Sequence, residues 1–212
     1  MRQRGDPVRR TMKERKELMR AMRELPALQP ANGQRLCEYA NVPFGWFRVA
    51  YNGCVALSVY NALLLTGYRV PFYRIHGILH RPWIPRLLGV RVWELRRCLR
   101  KLGIPFREFR SGDLLASAME PGDTAIVMSW NQTVPYCHFT LGEEPVSILR
   151  FHSPFGGAHG VAVTYTAPGR WTVYNRYSNR NHVYTYGSFR EFLPFEAAFI
   201  RGFLIQKYDN HG

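Results

Sequence analysis

Residues 54–66, CVALSVYNALLLT, carry no charge and only a few small polar groups. A helix of this composition has no face suited to water, so it must be buried on nearly every side. Whatever fold the chain adopts has to supply a layer against this segment. Asn52 offers an N-cap before it and Gly67 a stop after it.

The remaining punctuation gives the supporting layer. Residues 10–24 read as a helix with a narrow stripe of Met12, Leu18, Met19 and Met22, ended by Pro26 and Pro30. Residues 27–50 look irregular. Residues 91–102 form another helix, with Val92, Leu95, Leu99 and Leu102 on one face and Gly103 beyond. The texture then changes to alternation. Residues 123–130, 146–152, 159–166 and 170–178 read as strands, 187–194 as a short helix, and 199–206 as a closing strand. Helices come first and an antiparallel sheet second, which is an α+β order. The expected division is a basic arm and linker over 1–30 and one domain over 31–212. A chain of 212 residues suits that.

The net charge of +14 is uneven. Residues 1–25 hold nine Lys/Arg against four Asp/Glu, residues 69–110 hold eleven against two, and the rest is neutral. Both segments could meet an acidic partner. Nucleic acid is the weaker reading, because no nucleic-acid motif accompanies the charge. No apolar run reaches the ~18 residues that span a bilayer. The N-terminus lacks the apolar stretch of a signal peptide, so the expected location is cytoplasmic, with leaderless export open. Cys37, Cys54, Cys98 and Cys137 form no CxxC pair. They suggest neither a disulfide scaffold nor a metal site, and no cofactor is implied.

Cys54 is the best-placed thiol. A helix N-terminus stabilises a thiolate and is expected to lower its pKa, while its free N–H groups can hold an oxyanion. A thiol nucleophile needs a base and the base an orienter. Of seven histidines, His159 stands apart, opening a strand in GGAHGVAVTY after two glycines. Ala167-Pro168-Gly169 then suggests a three-residue hairpin loop with Gly in a left-handed bulge. Residue 166 would pair with 170, 165 with 171, 163 with 173 and 161 with 175. His159 and Asn175 would share a face as diagonal neighbours roughly 7–8 Å apart. A two-residue loop would instead set Asn175 opposite Ala162. Trp171 and Val173 share the first face, and Trp171 is expected to shield the His–Asn pair.

The order Cys, His, Asn on helix, strand and strand resembles the papain-like cysteine peptidases, and within them the small bacterial C39-like (bacteriocin-processing-type) branch. NGCVALSVYNALLLTG, GAHGVAVTY and RWTVYN carry the resemblance, supported by VWELRRCLRKLGI, MEPGDTAIVMSW and SFREFL…FIRGFLI, over about residues 44–207. The resemblance implies a papain-like fold, with the nucleophile helices packed on a C-terminal sheet, and a peptide or protein substrate. It also implies Cys54 as nucleophile, His159 as general base and acid, and Asn175 as orienter. Departures stand beside it. The usual glutamine six positions before the cysteine is Arg48, leaving Asn52 as the nearest oxyanion amide. The usual Cys-Gly is Cys54-Val55, and Asn175 stands where many members have Asp. The resemblance does not extend to the ATP-driven transporter fused to many members, so leader cleavage coupled to export is not among the expectations. The expected activity is cleavage of a peptide or isopeptide bond through a thioester. The alternatives are an acyltransferase or deamidase using the same first half-reaction, or a catalytically silent basic module binding an acidic or nucleic-acid partner.

Overall fold

The computed structural model describes residues 17, 20, 29–80, 89–130, 139–141, 144–146, 158–193 and 199–208. A hairpin of β1 (Pro43–Phe44) and β2 (Phe47–Arg48) runs into a single helical turn, α1 (Val49–Asn52). Then come α2 (Cys54–Leu65), α3 (Phe72–Leu79), α4 (Val92–Lys101), β3 (Phe106–Phe109), α5 (Gly112–Ala118) and β4 (Thr124–Trp130). A separate ribbon pairs β5 (Phe139–Leu141) with β6 (Glu144–Val146). The chain continues with β7 (Ala158–Ala167), β8 (Arg170–Tyr174), β9 (Tyr184–Tyr186), α6 (Phe189–Phe192) and β10 (Phe199–Ile205). The fold is α+β. Six strands form an antiparallel sheet in the order β3-β10-β4-β7-β8-β9.

The expected helix at 54–66 is α2, and ten of its residues are buried. Gly67 ends it with φ 92°, and the Tyr68 N–H closes back on the Leu63 carbonyl at 2.8 Å. The expected helix at 91–102 is α4, whose first turn is tied by the Arg91 N–H donating to Glu94 Oε2 at 2.9 Å. The hairpin at residues 43–48, together with α3, β3 and α5, carries no strong periodicity and was not anticipated from the sequence. The expected helix at 10–24 lies outside the described residues except for Glu17 and Arg20, which are helical. The expected strand at 146–152 also lies outside them beyond Val146. Among the described residues, no helix is long and apolar enough to cross a membrane.

Two cores flank the sheet. Gly160 and Ala162 of β7 face α2, where Val55, Leu57, Val59 and Leu63 pack with Ile126, Met128 and Phe203. Val161 and Val163 face the other side, with Val127, Trp171, Val173, Phe189 and Phe192. Strand alternation explains this: each residue of β7 serves the core its parity selects. The expected pairs 165–171 and 163–173 are present. The loop end differs, because Ala167 rather than Thr166 faces Arg170 and Thr166 becomes the bulged residue. Gly169 takes the left-handed conformation with φ 70°.

Helix and sheet come close together at Gly160. A Cβ there would lie 2.9 Å from Val55 Cγ2 and 3.0 Å from the Val55 Cα. Backbone cannot rotate away as a side chain can, so α2 would have to back off. We expect Gly160→Ala to cost about 1–3 kcal/mol of unfolding free energy and Gly160→Val more, read by urea denaturation. An alanine variant as stable as the parent would show that α2 is not seated this closely.

Candidate active site

Cys54 is the first residue of α2, and Gly53 occupies the N-cap without a side-chain cap. This corrects the expectation of Asn52 as the N-cap. The hairpin feeds straight into α1, so residue 52 is already helical, whereas a cap needs extended backbone. The Gly53 N–H instead closes α1 on the Val49 carbonyl at 2.9 Å.

The Cys54 sulfur meets the start of β7. Its thiol donates to the Ala158 carbonyl at 3.8 Å, and the Gly160 N–H is directed at it. Strand β8 leaves β7 after the Tyr174–Ala162 pair, so residues 158–160 have no pairing with β8. The sulfur sits at that open edge. Its environment corrects the expected acidity. Burial pushes the thiol above its ordinary value of 9.0, outweighing the Gly160, Val55 and Cys54 N–H groups that pull it down. A helix terminus favours a thiolate, but a thiol shut off from water gains less from it than it loses in hydration.

His159 is also buried, and its Nε2 donates to the main-chain carbonyl of Asn175 at 2.9 Å. A carbonyl only accepts, so Nε2 carries the proton and Nδ1 is the bare, basic nitrogen of the neutral ring. Burial holds the ring below its ordinary 6.5, the main chain of Asn175 and of Arg176 opposes this, and the charge of Arg176 adds to the lowering. Thiol and imidazole therefore rest as a neutral pair. Alternation assigns His159 to the side of Val161 and Val163, and among the described residues no hydrogen bond joins its ring to the Cys54 sulfur.

Asn175 holds His159, but not with its carboxamide as expected. It sits in the left-handed region at φ 58°, which turns its carbonyl toward the imidazole. The carboxamide faces elsewhere: Oδ1 accepts from the Gln34 N–H at 3.1 Å, and the Asn175 N–H donates to Asn32 Oδ1 at 2.8 Å. Asn175 Nδ2 is buried with no partner among the described residues. Gln34 in turn donates from Nε2 to the Val49 carbonyl at 2.6 Å, and Asn61 of α2 grips Ala31 by both its N–H and its carbonyl, at 2.8 and 2.9 Å. Residues 31–34 are thus pinned between α2, the turn before it and the end of β8. Sequence reasoning passed over Asn32, Gln34 and Asn61, since a polar residue in an irregular stretch gives no periodic signal.

Trp171 does not shield this site. It pairs with Tyr165, six residues along β7 from His159, or about 20 Å at the usual rise per residue. It stacks on Tyr165 with ring centroids 4.5 Å apart and meets Phe189 at 5.3 Å, inside the second core. Among the described residues, no group of three His, Cys, Asp or Glu could hold a metal ion. Cys37, Cys54 and Cys98 are free thiols. No protein-family model matches the chain, and no curated protein matches it.

Two measurements check this geometry. Asn175→Gly keeps the left-handed backbone and its carbonyl while losing the bond to Gln34. It should cost about 1 kcal/mol in urea denaturation and change Cys54 alkylation less than threefold. A hundredfold loss of thiol reactivity would restore the carboxamide as the orienter. The second concerns acid. His159 and His76 are both buried with pKa values below 6.5, so the unfolded chain takes up protons first. Stability should fall as pH drops below 6.5, by up to about 1.4 kcal/mol per pH unit for each ring until its folded pKa is passed. His159→Gln should flatten that slope in denaturation measured from pH 7 to 5.

Proposed function

We propose that the chain is a papain-like, C39-like thiol hydrolase that cleaves a peptide or isopeptide bond through a thioester on Cys54. The single observation that supports this most is the meeting of the Cys54 sulfur with the main chain on both sides of His159, the residue whose ring bonds the Asn175 carbonyl through Nε2 and so leaves Nδ1 unprotonated. In this reading Nδ1 takes the thiol proton as the sulfur attacks the carbonyl carbon, so no standing ion pair is needed. The Cys54 N–H at the start of α2 supports the developing oxyanion. The imidazolium then protonates the leaving amine, giving a thioester. Water, deprotonated by the same ring, releases the acid and regenerates the thiol. An amine in place of water would give acyl transfer, and a glutamine side chain in place of a peptide would give deamidation. The free thiols agree with work in a reducing compartment such as the cytoplasm.

A silent binding module is the second reading. It is favoured by the raised thiol, the missing sulfur–imidazole bond and the carboxamide engaged elsewhere. Part of the basic segment over 69–110 is already neutralised, since Arg96 grips Glu108 through two bonds of 2.8 and 2.7 Å.

Iodoacetamide labelling of the native protein, resolved by peptide mass mapping, separates the two. The hydrolase reading expects Cys54 to react faster than the fully buried Cys98 and the half-buried Cys37 despite its own burial. It expects the rate to rise as pH approaches the thiol's elevated pKa and to fall at least tenfold in His159→Ala. If Cys54 is slower than Cys37 and indifferent to His159→Ala, the binding module stands and the hydrolase reading falls.

A further inference from the structure

The segment pinned beside the site carries charge that a count along the chain does not show. Arg35 follows Gln34 and Arg176 follows Asn175, so each lies one residue beyond the Gln34–Asn175 hydrogen bond. The Arg35 N–H donates to the Ser178 carbonyl at 2.7 Å, and Gly33 lies against the main chain of Arg180. Backbone contacts thereby bring together three arginines from segments about 140 residues apart, with Arg176 adjoining the residue that holds His159. Among the described residues none of the three pairs with a carboxylate: the ion pairs present use Arg96, Arg190, Arg201 and Lys207. Arg176 is the least hydrated of them. Its Nε is buried without a partner among the described residues, and its guanidinium packs 5.1 Å from the Tyr177 ring and 5.2 Å from Phe192. An unpaired cation that has lost part of its water gains more from an incoming anion than an exposed one does.

The geometry points to a docking rim for an acidic polypeptide segment, in which Arg35, Arg176 and Arg180 take carboxylates on the chain presented to Cys54. Cleavage of the docked chain rests on the hydrolase reading, whereas binding itself does not. A carboxylate is the fitting anion. Each guanidinium is a planar fork with its Cζ over a ring: Arg35 over Tyr51 at 5.5 Å, Arg176 and Arg180 over Tyr177 at 5.1 and 5.6 Å. The same stacking argues against single-stranded nucleic acid, which needs open aromatic faces for its bases. Here arginines already lie over those faces. A cavity of about 410 Å³ between residues 29–38 and Asn181 adjoins the rim. Among the described residues Glu38 is its one charged liner, so carboxylates belong on the arginine side, with the exposed Leu36 left for an apolar neighbour. The positive charge of Arg176 on His159 is a further sign that the rim lies within electrostatic reach of the site.

The test uses a fluorescein-labelled ten-residue glutamate peptide and the full chain carrying Cys54→Ser, read by anisotropy at 50 mM salt. The rim variant R35Q/R176Q/R180Q should weaken binding at least tenfold. The control R97Q/R100Q/K101Q removes the same charge from the exposed side of α4 and should weaken it less than threefold. R35Q/R180Q changes only exposed side chains and should still weaken it at least threefold, guarding against misfolding on loss of Arg176. Equal weakening by rim and control variants would overturn the proposal, leaving general charge attraction. So would a decathymidylate that binds more tightly than the peptide and loses that binding in the rim variant. Because binding is read without the thiol, an unreactive Cys54 would defeat the hydrolase reading and leave this result standing.

Discussion

The structure turns on the seating of one helix against one glycine. Helix α2 is too apolar to show a face to water, and β7 accepts it only because Gly160 offers no side chain where Val55 and Ser58 press in. That contact sets the height of the helix over the sheet and with it the position of the Cys54 sulfur at the open edge of the strand. A looser seating would leave the thiol wet and away from the main chain that flanks His159. The tight one brings the sulfur to the strand but takes away its water, so the same constraint that builds the site also raises its thiol.

A second layer of polar contacts holds the surroundings in register. Asn61, Gln34, Asn32 and Asn175 are all buried, and each makes at least one side-chain hydrogen bond to backbone from a distant part of the chain. Such bonds add about 1 kcal/mol each when made and penalise the fold more when one partner is lost. Their value here is positional: they fix residues 31–34 against the helix, the turn and the end of β8. Asn175 serves both sides of this arrangement, with its carbonyl on the imidazole and its carboxamide on Gln34.

How much of this could be read in the sequence depends on how local the cause was. Helix α2 and the pairing of β7 with β8 follow from a continuous apolar run and from turn chemistry between Ala167 and Arg170, both written in neighbouring residues. The role of the Asn175 side chain was not readable. It depends on a left-handed backbone at that residue and on a partner, Gln34, 141 positions away. The shielding expected of Trp171 failed for a related reason: sharing a face does not mean sharing a place along a ten-residue strand. The arginine rim was invisible because its members fall in stretches whose charges cancel when summed along the chain.

Strand β7 divides its side chains between the two cores, Gly160 and Ala162 to one and Val161 and Val163 to the other. Neither layer can therefore melt while its counterpart persists, since each would strip alternate residues of the same backbone from their packing. Denaturation should then be a single concerted event for this half of the molecule, without a populated species in which the thiol's neighbourhood has come apart on its own.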